Sequence, residues 1–198
     1  MLSRLSIKQK LNLIMLVPLV VIVLLAVKLT LDSYGISKNL NSLDKVVVLS
    51  TKIGALVHES QVERGMTSSF IETKGEQFKT ELPSQRLNVD EKLKEFNTFL
   101  SSFDKTGYSL EFTQNLDSAI KKLEELGSIR SAVNSFSIKG FIAIEYYTEL
   151  NKLLLNVIGS ITKLSNSAEI TENLVSYMSF LLVKERTGIE RAIGTNTF

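Results

Sequence analysis

Cysteine and tryptophan are absent, histidine occurs once, and 198 residues hold only two prolines and ten glycines. Without cysteine there is no disulfide framework and no thiolate metal site. The lone histidine, His58, has no second histidine or cysteine to share a metal with, so no metal is expected. Two prolines, Pro18 and Pro83, and few glycines leave too few turn residues for a fold of many short strands. Charge of one sign is also lacking. The formal net charge is +2, and Arg4, Lys8 and Lys10 supply three positives before residue 11. The remainder carries 20 basic against 21 acidic residues, so no basic patch marks a nucleic-acid surface and no nucleic-acid partner is expected. There is no glycine-rich phosphate loop, nucleophile elbow or HExxH. No enzyme activity and no cofactor are expected.

What is present is long apolar periodicity. Residues 1–10 are short and basic. Residues 11–27, LNLIMLVPLVVIVLLAV, contain no charge, Lys28 interrupts, and residues 29–31 extend the run. A bilayer core takes ~20 apolar residues in a helix, and Lys28 can snorkel. The reading is an uncleaved membrane helix over 11–31, Pro18 included. A cleaved signal peptide is the rival, but no A-x-A site follows the run. Basic residues stay on the cytoplasmic side, which puts residues 32–198 outside the cytoplasm, in a bacterium in the periplasm.

Beyond the run, Ile36, Leu40, Leu43, Val47, Ser50, Gly54, Val57, Gln61, Arg64, Ser68 and Ile71 follow alternating four- and three-residue steps. That is a heptad seam on one continuous helix. Gly75 is its expected end. A second helix, with Pro83 early in it, runs to Phe103 with Arg86, Val89, Leu93, Phe96 and Leu100 inward. DKTGY, 104–108, is a turn. A third helix covers 109–126, with Leu116, Ile120 and Leu123 inward. A long fourth covers 128–162, with Arg130, Val133, Ser137, Phe141, Ile144, Thr148, Leu155 and Ile158 inward. After a loop at 165–167, a last helix runs from Glu169 to the chain end, which stops in mid-pattern at Phe198, as a truncated domain would. The expected class is all-α, a transmembrane helix continuing into an antiparallel helical bundle.

Two arginines fall on apolar stripes. Arg64 shares a face with Ile53, Val57, Ser60, Thr67 and Ile71. Arg186 shares one with Val175, Ser179, Leu182, Ile189 and Ile193. A guanidinium inside a bundle is costly unless an anion meets it. Either a protein carboxylate does so or a ligand does. Glu190 is in reach of Arg186, and Glu59, Glu63 and Glu185 are also near. Arg191 lies about 140° around the helix from Arg186, on a face with Tyr177, Phe180 and Lys184. Arg86 and Arg130 stand near helix starts, where a surface role is the alternative.

These residues carry a family likeness. LVHESQVERGMTSSFI (56–71), followed by GEQF, LPSQR and Asp90, resembles the opening of the NIT domain, the nitrate- and nitrite-sensing domain of bacterial receptors. KERTGIERAIGTNTF (184–198) resembles its second signature, and residues 128–155, with Tyr147-Thr-x-Leu150, its central part. The resemblance implies a helical sensor of a small anion such as nitrate or nitrite. The arginines it carries over are Arg64, Arg186 and Arg191, with Arg86 and Arg130 matching less securely. Val62 departs from the pattern, because relatives often have a charged residue there. A site with adjacent arginines is then not reproduced.

With its apolar run, the chain resembles the front of a methyl-accepting chemotaxis receptor. That is a bacterial inner-membrane protein, dimeric, signalling through an output module outside this sequence. The alternative is a dimerisation or protein-contact module of a receptor or sensor kinase that takes no small molecule. Nitrate is planar and singly charged, and guanidinium is planar with paired donors, so two inward arginines can bracket one such anion.

Overall fold

The computed structural model describes residues 7–162 and 168–195, and every element in them is helical. In chain order these are α1 (Ile7–Glu72), α2 (Glu81–Ser101), α3 (Leu110–Glu124), α4 (Leu126–Asn134), α5 (Gly140–Thr162) and α6 (Ala168–Thr195). The expected loop at 165–167 and the chain end at Phe198 lie outside the described residues, as do the side chains of Ile36, Leu40, Leu43, Arg191 and Ile193. Contacts divide the chain into two units, Met1–Asp44 and Lys45–Phe198.

The first unit contains the beginning of α1. Its described apolar side chains, from Met15 to Leu31, are exposed. Among the described residues, no helix is long and apolar enough to cross a membrane. The membrane helix expected over 11–31 is corrected on that ground.

The second unit is a bundle with α5 at its centre. Apolar residues that surround a helix bury it on every side. In α5, Ala143, Ile144, Tyr147, Leu150, Leu154, Leu155, Val157, Ile158 and Ile161 are all buried. Around α5 the other helices bury one stripe each. α3 contributes Phe112, Leu116, Ala119 and Leu123, and α2 contributes Leu82, Gln85, Val89 and Phe96. The second-unit part of α1 buries Val46, Leu49, Ser50, Ile53, Leu56, Val57, Ser60, Arg64, Thr67 and Ser68.

Pairs of touching residues give the directions. Glu63 meets Tyr147 while Ile71 lies by Gly140, so α1 and α5 run antiparallel. Gly159 lies by Met178 while Asn151 meets Glu185, so α5 and α6 do too. His58 meets Lys184 while Arg64 lies against Gly188, so α1 and α6 are parallel. Tyr177 and Gly54 continue that contact. A Cβ at position 54 would fall 1.8 Å from the tyrosine oxygen, so only glycine admits the ring.

Helix ends follow local chemistry. α1 closes at Gly75 (φ +88°), whose N–H donates to Phe70 O at 2.8 Å in a left-handed cap. Ser109 caps α3 by accepting from the Phe112 N–H. The single helix expected over 128–162 is two helices. The break at 135–139 places Phe136 at φ +53°, closes with Ser137 N–H donating to Ala132 O, and is held by Phe136 stacked on Phe70 at 5.4 Å. Phe141, read as inward, is therefore exposed, and so is Ser137.

Candidate functional site

Two adjacent residues of α1 anchor two ion clusters. Glu63 is fully buried and Arg64 is 1% exposed. Both can face inward because α1 packs against α2 and α4 on one side and against α5 and α6 on the other. Adjacent helix residues, ~100° apart, then meet different neighbours.

Glu63 is fully engaged. Its Oε1 accepts from Arg130 Nε at 2.7 Å and from the Tyr147 hydroxyl at 2.8 Å, and Oε2 accepts from Arg130 Nη2 at 2.8 Å. Arg86 Nε lies 3.4 Å from the same carboxylate. Arg130 Nη1 also donates to Asp90 at 2.5 Å, and Arg86 Nη1 donates to Asn134 Oδ1 at 2.7 Å. Burial pulls the Arg130 pKa down, but the hydrogen bonds and charge of Glu63, with those of Asp90, outweigh it and leave the group above its ordinary value. Burial first, and then the Glu63 charge, pushes the Tyr147 hydroxyl well above the usual tyrosine range. Arg130 is thus mostly buried and taken up by Glu63 and Asp90, whereas Arg86, also mostly buried, lies 3.4 Å from Glu63 and keeps Nε and Nη2 without a hydrogen-bond partner among the described residues.

Arg64 is held differently. Its Nη1 donates to Glu185 Oε1 at 2.5 Å and to the Thr148 hydroxyl at 3.0 Å, and Nη2 reaches Glu185 Oε2 at 3.5 Å. Glu185 is also held by Gln61 Nε2 at 2.7 Å and Asn151 Nδ2 at 3.4 Å. The guanidinium borders a groove of about 400 Å³ between α1 and α6. Gly65 and Gly188, the polar side chains of His58, Gln61 and Lys184, and the apolar Val62, Met66 and Phe78 line it with Arg64. A Cβ at position 188 would lie 2.7 Å from Arg64 Nη2, so the glycine is what lets the guanidinium reach the groove.

At the rim the Lys184 ammonium donates to His58 Nδ1. An ammonium cannot accept, so the ring proton of a neutral His58 sits on Nε2. Burial lowers the Lys184 pKa, with Glu59 pulling weakly the other way. Two cationic side chains, Arg64 and Lys184, therefore line the groove, with Glu185 on the first and Glu59 near the second.

The expected pair of inward arginines is corrected. On α6 the buried face carries Leu174, Leu181 and Glu185, whereas Val175, Ser179, Leu182 and Arg186 are exposed. The stripe is one residue out of register, about 100° of rotation, so Glu185 occupies the place given to Arg186. Arg191 is helical in backbone, but its side chain lies outside the described residues. The structure brings Arg64 together with Lys184, Gln61 and Glu185, and Arg86 with Arg130. It does not bring Arg186 to the inner face. Lys184, Gly188, Thr148 and Asn151 were not singled out by sequence reasoning as site residues. The repeated ER-x₀₋₁-G step, Glu63-Arg64-Gly65 and Glu185-Arg186-Thr187-Gly188, was the signal available for the two glycines.

With this geometry in place, similarity to known proteins can be read. A family model described as nitrate and nitrite sensing matches residues 55–198. The chain is 27% identical over 161 residues to a nitrate regulatory protein of Klebsiella oxytoca, an alignment spanning 81% of this chain and 40% of that protein. It is similar to a solved structure of the NasR transcription antiterminator with a TM-score of 0.76 and 26% identity, covering 80% of this chain and 43% of that one. The chain thus spans about two fifths of the length of these relatives.

These findings correct the expected setting. The relatives are a nitrate regulator and an antiterminator, not chemotaxis receptors, and among the described residues no helix can cross a membrane. The inner-membrane location, the chemoreceptor role and its receptor-module alternative are withdrawn with that setting. The expectation of partners that exclude nucleic acid also falls, because one relative is a transcription antiterminator.

Proposed function

Because this chain belongs to the nitrate and nitrite sensing family, we propose that Lys45–Phe198 senses nitrate or nitrite at the groove beside Arg64. The observation that carries the reading is a buried guanidinium, 1% exposed, with one edge on a groove whose rim adds the Lys184 ammonium. Arg64 supplies planar, paired donors, and Lys184 supplies a compact charge that draws an anion in. The apolar wall suits a weakly hydrated monoanion better than a strongly hydrated one. Arg86 and Arg130 serve as structural counter-ions to Glu63 and Asp90. Arg186 and Arg191 are not required by this reading.

The two relatives are regulators, one of them of transcription. We place this sensor in the same kind of role, converting anion binding into a change of helix packing that a regulator of gene expression reads. No group transfer is involved, and the module works by binding alone. A ligand shifts such an equilibrium only by its differential affinity for the two packings.

Titration calorimetry of the full chain tests the proposal. Nitrate or nitrite is expected to give saturable heat that Arg64→Ala removes and Arg64→Lys weakens, while Arg186→Ala leaves it unchanged. Saturable heat that survives Arg64→Ala overturns the reading, and so does the absence of heat from either anion in both the folded wild type and Glu185→Gln.

A further inference from the structure

Glu185 sits where an incoming anion would have to go. It is 6% exposed, and four hydrogen bonds converge on its carboxylate, two from Arg64 and one each from Gln61 and Asn151. All four donors are N–H groups on α1 or α5. The amide oxygens of Gln61 and Asn151 are buried without a hydrogen-bond partner among the described residues. Leaving two buried acceptors unpaired is costly, and here both amides turn their N–H side toward the same carboxylate. The result is a cradle shaped for two coplanar oxygens. It is built by α1 and α5, and one side chain of α6 fills it.

We propose that Glu185 is a built-in competitor for the ligand. On this view, which rests on the groove being the anion site, an anion reaches Arg64 by replacing the Glu185 carboxylate in the cradle. The exchange defines the ligand class. A planar monoanion with two accessible oxygens copies the carboxylate and leaves the buried charge balanced. A tetrahedral dianion such as sulfate does neither. The exchange also sets the direction of the response. Glu185 ties α6 to both α1 and α5, beside the Lys184 contact to His58 on α1, so its displacement loosens α6 while the Glu63 cluster keeps α1, α2, α4 and α5 together.

Nitrate titrations of wild type, Glu185→Gln, Glu185→Asp and Arg64→Ala in the full chain test this. Removing the competing charge is expected to tighten nitrate binding by about tenfold, within the 5–150-fold range of such couplings. Glu185→Asp, which keeps the charge but shortens its reach, is expected to tighten it less. Formate is expected to compete with nitrate in wild type and sulfate is not. Thermal melts show whether each variant is folded, and Glu185→Asp decides the matter if Glu185→Gln is not. Nitrate binding that depends on Arg64 in wild type but is equal or weaker in the Glu185 variants overturns the competition and leaves the anion site standing. Heat in the Glu185 variants alone supports it, as a latch too tight for wild type to open. No Arg64-dependent heat in any of these proteins overturns both.

Discussion

Glu63 and Arg64 are neighbours in sequence, both are buried, and both are ion-paired, yet their surroundings differ. The Glu63 cluster is closed. Two arginines, Arg86 and Arg130, face two carboxylates, Glu63 and Asp90, with the Tyr147 hydroxyl completing the Glu63 shell. Two positive and two negative charges face one another, with the Asp90 carboxylate 50% exposed. The Arg64 cluster is open on one side. Glu185 is paired with Arg64, Glu59 lies near Lys184, and both cations line a groove of about 400 Å³. Burial and pairing alone therefore do not mark a binding site. What sets the Arg64 pair apart is a groove that its guanidinium lines together with Lys184.

The largest expected effect lies on the closed side. Glu63→Gln removes the counter-charge of two mostly buried arginines. Breaking a buried pair by removing one partner costs on the order of 3–5 kcal/mol, and Glu63 serves two. Urea unfolding is expected to show a midpoint shift of that size, with loss of the folded baseline near 37 °C. A shift under about 1 kcal/mol would mean that water reaches the cluster as it reaches surface pairs, and the contrast with Arg64 would fail. Arg64→Ala is expected to cost less stability, about 1–3 kcal/mol, because Glu185 keeps donors from Gln61 and Asn151. Its main effect is the loss of nitrate binding.

The difference between the clusters was only half legible in the sequence. The seam of α1 was visible from Ser50 to Ser68, because a helix packed on several sides repeats its apolar and small residues at heptad spacing. Arg64 stood out there as a charge on a buried stripe. The stripe of α2 was visible for the same reason. What could not be seen was which residue of each Glu-Arg step faces inward. In α1 both members do, because neighbours lie on two sides. α6 packs on one side only, and its outer face carries Val175, Phe180, Leu182 and Val183, all exposed. That apolar outer face imitates a core stripe and carried Arg186 with it. The break at 135–139 was invisible for another reason. It is set by the ring of Phe136 stacking on Phe70, a contact across the bundle that no local pattern records.

Gly188→Ala probes the open side more finely. The added methyl would meet Arg64 Nη2 at 2.7 Å, and the guanidinium, the far end of a flexible side chain, can yield. Alanine in a helix interior gains up to about 1 kcal/mol over glycine, so the melting temperature is expected to stay level or rise. Nitrate affinity is expected to fall several-fold, because the donors no longer face the groove. Stability and binding moving in opposite directions would separate this site from the closed cluster, where they have no reason to. Equal affinity would show that Nη2 is not the edge an anion meets.

Lys184 adds a smaller, pH-dependent effect. Burial lowers its pKa below the ordinary 10.5. The unfolded chain then holds the proton at pH values where the folded one has lost it. On that account stability rises with pH between the lowered and the ordinary value. Anion binding has the opposite slope, since it needs the ammonium. Nitrate affinity is expected to be full below the lowered pKa and to decline as pH rises through it. Lys184→Met is expected to weaken binding modestly and flatten the decline. A decline that persists unchanged in Lys184→Met would show that Lys184 is not the group responsible.

The smallest expected effect is the most pointed test of the α6 register. Arg186 is exposed, and a surface substitution there is expected to move stability by no more than about 0.5 kcal/mol. Arg186→Ala should leave nitrate heat unchanged, whereas Glu185→Ala, one residue away, empties the Arg64 cradle of its protein carboxylate. If α6 were rotated by the ~100° that separates these two side chains, the outcomes would exchange. Arg186→Ala would then cost affinity and Glu185→Ala would be silent. Calorimetry and a melt on this pair of neighbours decide whether the second Glu-Arg step presents an acid or a base to the bundle. The open cluster is a competed site only if it presents the acid.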